Sequence, residues 1–207
     1  MDANLPIVSV AQHLAERIVA LRADTLPPAV RRKCEDLLID VVGLCVTARN
    51  EDYIKSALAG CDDDGPCTAI GHARTLSAAS AAFVNGTAAH GEDFDDTFEG
   101  GPVHAGAVIV PAVLAAAQRH GASGADLLRG MALGVEVTCR LCAVAPMKVH
   151  KAGFHPTAVF GTMGAVAGVG ALLRVPEPVL VNAFGIAGSM ASGIIEYLAE
   201  GAWTKRL

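Results

Sequence analysis

Aromatic side chains are scarce in this sequence: six Phe, two Tyr and one Trp among 207 residues. The chain is nevertheless 52% hydrophobic and carries 22 Gly, so its core must be made of small side chains and closely approaching backbones. Basic stripes are also missing. With a net charge of -5 and a pI near 5.8, nothing is available to neutralise a run of phosphates, which excludes a nucleic-acid binder. The opening residues, MDANLPIVSVAQHLAERI, lack the positive start and unbroken apolar run of a signal peptide, and carry acids that transit peptides avoid. The reading is a cytoplasmic chain.

Two further absences narrow the class. Cys139 and Cys142 form a C-x-x-C, but no second pair exists to complete a zinc site, and Cys34, Cys45, Cys61 and Cys67 fall in apolar surroundings where a free thiol acts as a small hydrophobe. Strand-forming stretches are almost lacking. Only residues 67–70 qualify, and they are too short to found a sheet.

What is present reads as helix. Ser9 and Gln12 make a capping box before Val10, Leu14, Ile18 and Leu21, and Pro27 and Pro28 open a second helix. Apolar positions from Val30 to Cys45 are broad enough to predict burial on more than one side, with Asp40 the exception. Residues 61–65 read as a turn and 71–76 as a loop. Helical patterns follow over 77–89, 105–119, 125–144, 156–173 and 179–191, the last behind Pro176 and Pro178. The class predicted is all-α. Residues 157–173 are apolar throughout and contain Gly164-x-x-x-Gly168, but they lack an aromatic belt and use Gly and Ala rather than Leu and Ile. They are expected to form a central packed helix, and no membrane role is expected.

Against this background two patches are polar. Residues 85–104 hold five carboxylates between apolar helices, and if the helical turn continues, His90, Asp93 and Thr97 share one face. Residues 147–155, MKVHKAGFH, form the second. His104 and His155 each precede an apolar helix, where backbone N–H groups and the helix dipole favour anions. With Lys148, His150, Lys151, Lys205 and Arg206 they can make a cationic pocket on an acidic protein, suited to a ligand carrying carboxylates.

The residues also carry a family pattern: N-G-x-x-x-H-x-x-D-F-D-D-T over 85–97, a His shortly after, G-x-E-V-x-x-R over 134–140, G-F-H-P-T over 153–157, and N-A-x-G-I-A-x-S-x-A-S-G over 182–193. In this order they resemble the MmgE/PrpD family, which includes 2-methylcitrate dehydratase, cis-aconitate decarboxylase and an iminodisuccinate epimerase. Ala105 departs from the Pro that many members have there. The resemblance implies a cofactor-independent enzyme with a large helical domain and a smaller α/β lid, dimeric in the complete protein, acting on a small di- or tricarboxylate. It places Asp93, Thr97, His104, His155 and Lys205 on active-site positions. His104 and His155 are then expected to move protons, Lys205 to bind the substrate carboxylate with help from Lys148 and Lys151, and Asp93 with Thr97 to orient a His or a substrate hydroxyl. Proton abstraction beside a carboxylate with loss of water is the first expectation; no metal is expected. Residues 1–207 are expected to be one helical domain, with an N-terminal helix in 1–25 and the family region from 26. The expected lid is missing, so the chain is expected to be a truncated form with little turnover.

Two other readings compete. His90, Asp93, Asp95, Asp96 and His104 offer donors for zinc, manganese or iron in a metal-dependent hydrolase. A non-catalytic helical assembly domain is the other. Plainer roles are expected for several residues: Asp95 and Asp96 as cap and turn residues, Lys148 and Lys151 as a solvated face, and Glu136 with Arg140 as an i,i+4 pair.

Overall fold

The computed structural model describes residues 8–21 and 25–206. The helices among them are α1 (Val10–Ala20), α2 (Pro28–Ala48), α3 (Asp52–Ala59), α4 (Ala78–His90), α5 (Ala105–His120), α6 (Gly124–Val144), α7 (Lys148–Lys151), α8 (Pro156–Leu173), α9 (Glu177–Met190) and α10 (Tyr197–Glu200). A 3-10 turn, Trp203–Arg206, follows. The architecture is all-α. Of the segment expected to hold an N-terminal helix, residues 1–7 and 22–24 lie outside the described residues.

Local signals account for most boundaries. Ser9 and Gln12 form both bonds of the capping box, Ser77 and Ser123 cap α4 and α6, and Gly121 ends α5 in the left-handed conformation. The predicted loop 71–76 differs at its end: Thr75–Leu76 (β2) pairs antiparallel with Cys67–Thr68 (β1), Cys67 opposite Leu76. Asn85 explains why this ladder sits where it does. Its side chain accepts from the Ile70 N–H at 2.8 Å and donates to the Thr68 carbonyl at 2.9 Å, so the first residue of the polar motif ties the hairpin to α4.

The centre is the crossing of α6 and α8. A Cβ at Gly164 would stand 1.9 Å from Thr138 Oγ1 and 2.7 Å from the Gly134 carbonyl, and one at Gly168 would stand 2.8 Å from the Gly130 carbonyl. Backbone meets backbone here, which only glycine permits. By length and composition α8 alone among the described helices is apolar enough to cross a membrane. It is covered by α1, α5, α6 and α9, which makes it the packed central helix expected. A similar contact joins α4 to α5. Pro111 cannot donate to the Ala107 carbonyl, and a Cβ at Gly86 would lie 3.3 Å from that same oxygen.

One helix departs from its pattern. α2 buries Cys34, Val41, Cys45 and Ala48, a single stripe, while Ile39 is 71% exposed. Its apolar residues were too many for one face, but among the described residues only one face has a neighbour.

Candidate active site

α4 ends at His90, and the chain does not continue as helix. A Cβ at Gly91 would strike the Tyr53 ring, and Asp93 takes a left-handed backbone with φ of 62°. The single face expected for His90, Asp93 and Thr97 therefore does not form. Each of the three goes its own way: Asp93 turns outward to the Lys205 ammonium, His90 stays buried, and Thr97 Oγ1 lies 3.4 Å from His104 Nδ1.

The loop from 91 to 104 then returns to start α5. Asp96 Oδ1 accepts from the Gly106 N–H at 2.8 Å, the expected capping role, and Phe98 donates to the Val103 carbonyl. Burial raises the Asp96 carboxyl above its usual range, and the Gly106 N–H opposes that shift. His104 becomes the N-cap residue of α5, and its N–H donates to Thr157 Oγ1 at 3.1 Å in the first turn of α8. That bond links the two helix starts.

His155 is the N-cap residue of α8. Its N–H donates to the Gly193 carbonyl at 2.8 Å, Ile195 donates to the Gly153 carbonyl, and Phe154 bridges Ile194. A Cβ at Gly193, where φ is 114°, would lie 2.7 Å from the Ala158 Cβ, so glycine is required. This seam sets Tyr197 edge-on to His155, ring centres 5.6 Å apart.

Three imidazoles thus meet from the end of α4 and the starts of α5 and α8. His90 lies 5.1 Å from His104 and 5.5 Å from His155 between ring centres, nearly parallel to the latter. Burial and the neighbouring His90, His104 and Lys205 push the His155 pKa down to about 4, so this ring is neutral at pH 7. Lys205, on the closing 3-10 turn, holds Asp93 and keeps its carboxyl below the usual range. A cavity of about 430 Å³ opens beside them, lined by Asp93, Tyr197, Lys205 and Arg206. A larger one of about 780 Å³ lies against α3 and α4. Neither lining includes the three histidines, and of the two only the smaller includes Asp93, Lys205 and Tyr197, the last edge-on to His155.

Of the residues singled out beforehand, His104 and His155 come together around His90, Thr97 lies against His104, and Asp93 pairs with Lys205. Lys148 and Lys151 lie exposed on α7, and among the described residues neither makes an ion pair. Glu136 and Arg140 form their i,i+4 pair. Asp95 is the correction. It is neither cap nor turn residue: its side chain is fully buried with Oδ2 2.6 Å from His90 Nδ1, and Oδ1 3.4 Å from His104 Nδ1. Tyr197 was missed, since only the seam through Gly193 brings it in.

His90, Asp95 and His104 present donor atoms within 4.8 Å of one another, the set most able to hold a metal ion among the described residues. The 2.6 Å between His90 and Asp95 is a hydrogen-bond length. Two ligands on one tetrahedral zinc, each bonded at about 2 Å, stand roughly 3.3 Å apart. The pair is spaced for a proton.

Such a site defines a class: an all-helical domain that gathers three imidazoles and a lysine beside two helix N-termini. The chain belongs to the MmgE/PrpD family, whose N-terminal domain matches residues 12–207. It is 27% identical to the cis-aconitate decarboxylase-like protein oryM of Aspergillus oryzae over 96% of its own length and 43% of that protein's. It is 27% identical to the cis-aconitate decarboxylase of Aspergillus terreus over 84% of the chain and 38% of the relative. With human cis-aconitate decarboxylase it shares 38% identity over 54% of the chain and 24% of the relative. The chain spans less than half the length of each of these relatives.

Proposed function

We propose that this chain supplies the histidine-bearing part of the active site of a cofactor-independent lyase that moves a proton beside a carboxylate on a small di- or tricarboxylate. The observation that carries the reading is the meeting of His90, His104 and His155 at two helix N-termini beside Lys205. Carboxylates are held at the helix starts and by Lys205. His155, neutral at pH 7, accepts or returns the proton together with His104, while Asp93 with Thr97 orients a ring or a substrate hydroxyl. Lys148 and Lys151 add positive potential outside the cavity.

The same groups serve loss of water or of carbon dioxide, because both build negative charge at the carbon beside a carboxylate. Dehydration was the first expectation from the motifs, and the relatives' names now put decarboxylation of cis-aconitate beside it. We take the complete protein to be a cytoplasmic homodimer. The test is an assay of that protein with cis-aconitate, following carbon dioxide, and with 2-methylcitrate, following the unsaturated product. Turnover of either that falls at least 100-fold in His155→Ala supports the reading, and undiminished turnover in that variant removes it.

A further inference from the structure

The buried carboxylate of Asp95 does a job that the motif reading did not give it. One oxygen lies 2.6 Å from His90 Nδ1, and the other 3.4 Å from His104 Nδ1. The side chain is wholly enclosed, and Oδ1 has no hydrogen-bond partner of its own. An ionised carboxylate only accepts, so the proton of the neutral His90 ring must be on Nδ1. His104 Nδ1 also faces the Asp96 carbonyl at 2.9 Å, another pure acceptor, which demands the same form. Both neutral rings then keep their lone pair on Nε2.

We propose that Asp95 is a positioning residue that fixes His90 as the Nδ1–H tautomer, reinforces that form in His104, and thereby leaves Nε2 of His104 free for proton transfer. His90 is the wedge. Held by Asp95, it packs against His104 on one side and lies nearly parallel to His155 on the other. Asparagine is the informative replacement because it keeps the shape but exchanges one acceptor for a donor. With its oxygen left towards His104, its NH2 must meet His90 Nδ1, and that ring must move its proton to Nε2.

The kinetic part of this inference rests on the lyase reading, but the tautomers do not. Ring 15N spectra of the chain at pH above the histidine titrations should show Nδ1–H forms for His90 and His104, with His90 switching to Nε2–H in Asp95→Asn. In the complete enzyme, kcat of that variant should fall about 10- to 100-fold with KM within threefold, as for loss of a group that orients another. An Nε2–H form of His90 in the unaltered chain overturns the proposal without any variant. So does a folded Asp95→Asn that keeps the original tautomers, or one that keeps kcat within twofold. If the unaltered complete enzyme turns over neither substrate, the lyase reading falls while the spectra still decide the role of Asp95.

Discussion

The ammonium of Lys205 is hydrogen-bonded to the carboxylate of Asp93, 112 positions earlier in the chain. The pair closes the rim of the site, and its two members differ in exposure: 19% for the Lys side chain and 62% for the Asp. A pair so open to water contributes only about 0–1 kcal/mol to stability. Lys205→Met in the complete enzyme should therefore move the melting temperature by no more than about 3 °C. KM for a tricarboxylate should rise at least tenfold. An unchanged KM would take Lys205 out of the binding role.

His155 carries the clearest pH signature. Its ring resonances should titrate with a midpoint near 4, far below the ordinary 6.5, because burial and the neighbouring His90, His104 and Lys205 oppose protonation. The sign for stability follows. Between the two values the unfolded chain binds the proton and the folded chain does not. The contribution of this ring is thus complete above about 6.5 and is lost as pH falls towards 4. Denaturant melts at pH 7 and pH 5 should differ in that direction, and His155→Gln should reduce the difference. A midpoint at 6.5 would mean the ring is solvated.

On the proposed reading, the exposed cations on α7 are expected to act only through long-range potential. Replacing both Lys148 and Lys151 by Ala should raise KM about two- to fivefold at low salt, with the effect gone by about 0.5 M salt, where charges more than a few Å apart are screened. An increase that survives high salt would point to direct contact with the substrate.

The α6–α8 crossing gives a stability pair. Gly164→Ala puts a methyl onto Thr138 Oγ1 and the Gly134 carbonyl, and should cost about 3 kcal/mol, or about 6–12 °C in melting temperature. Gly43→Ala, inside α2 with nothing within 4 Å, should stabilise by up to about 1 kcal/mol. Thermal melts of both variants check the contrast.

The helices were legible because their signals are local: capping serines, proline starts and apolar spacing lie within a few residues of the structure they cause. His104 and His155 were legible as residues before apolar helices. What could not be read locally came from distant partners. Gly91 stands where it does because of Tyr53, and once α4 stops there the spacing of His90, Asp93 and Thr97 loses its meaning. Asp95 looks like any loop acid until two histidines from different elements close on it. The second apolar side of α2 was a count of residues, and burial needs a neighbour as well.

His90, His104 and His155 are fixed at helix ends, not along helix flanks, so their alignment depends on how far each helix has slid along its axis. Advancing α8 by one residue would carry His155 about 1.5 Å forward and turn it by about 100°. The interlocked glycines of α6 and α8 resist that step, since each accommodates a carbonyl in one register only. The crossing therefore behaves as a detent, and the three rings are indexed by a joint made mainly of backbone contacts.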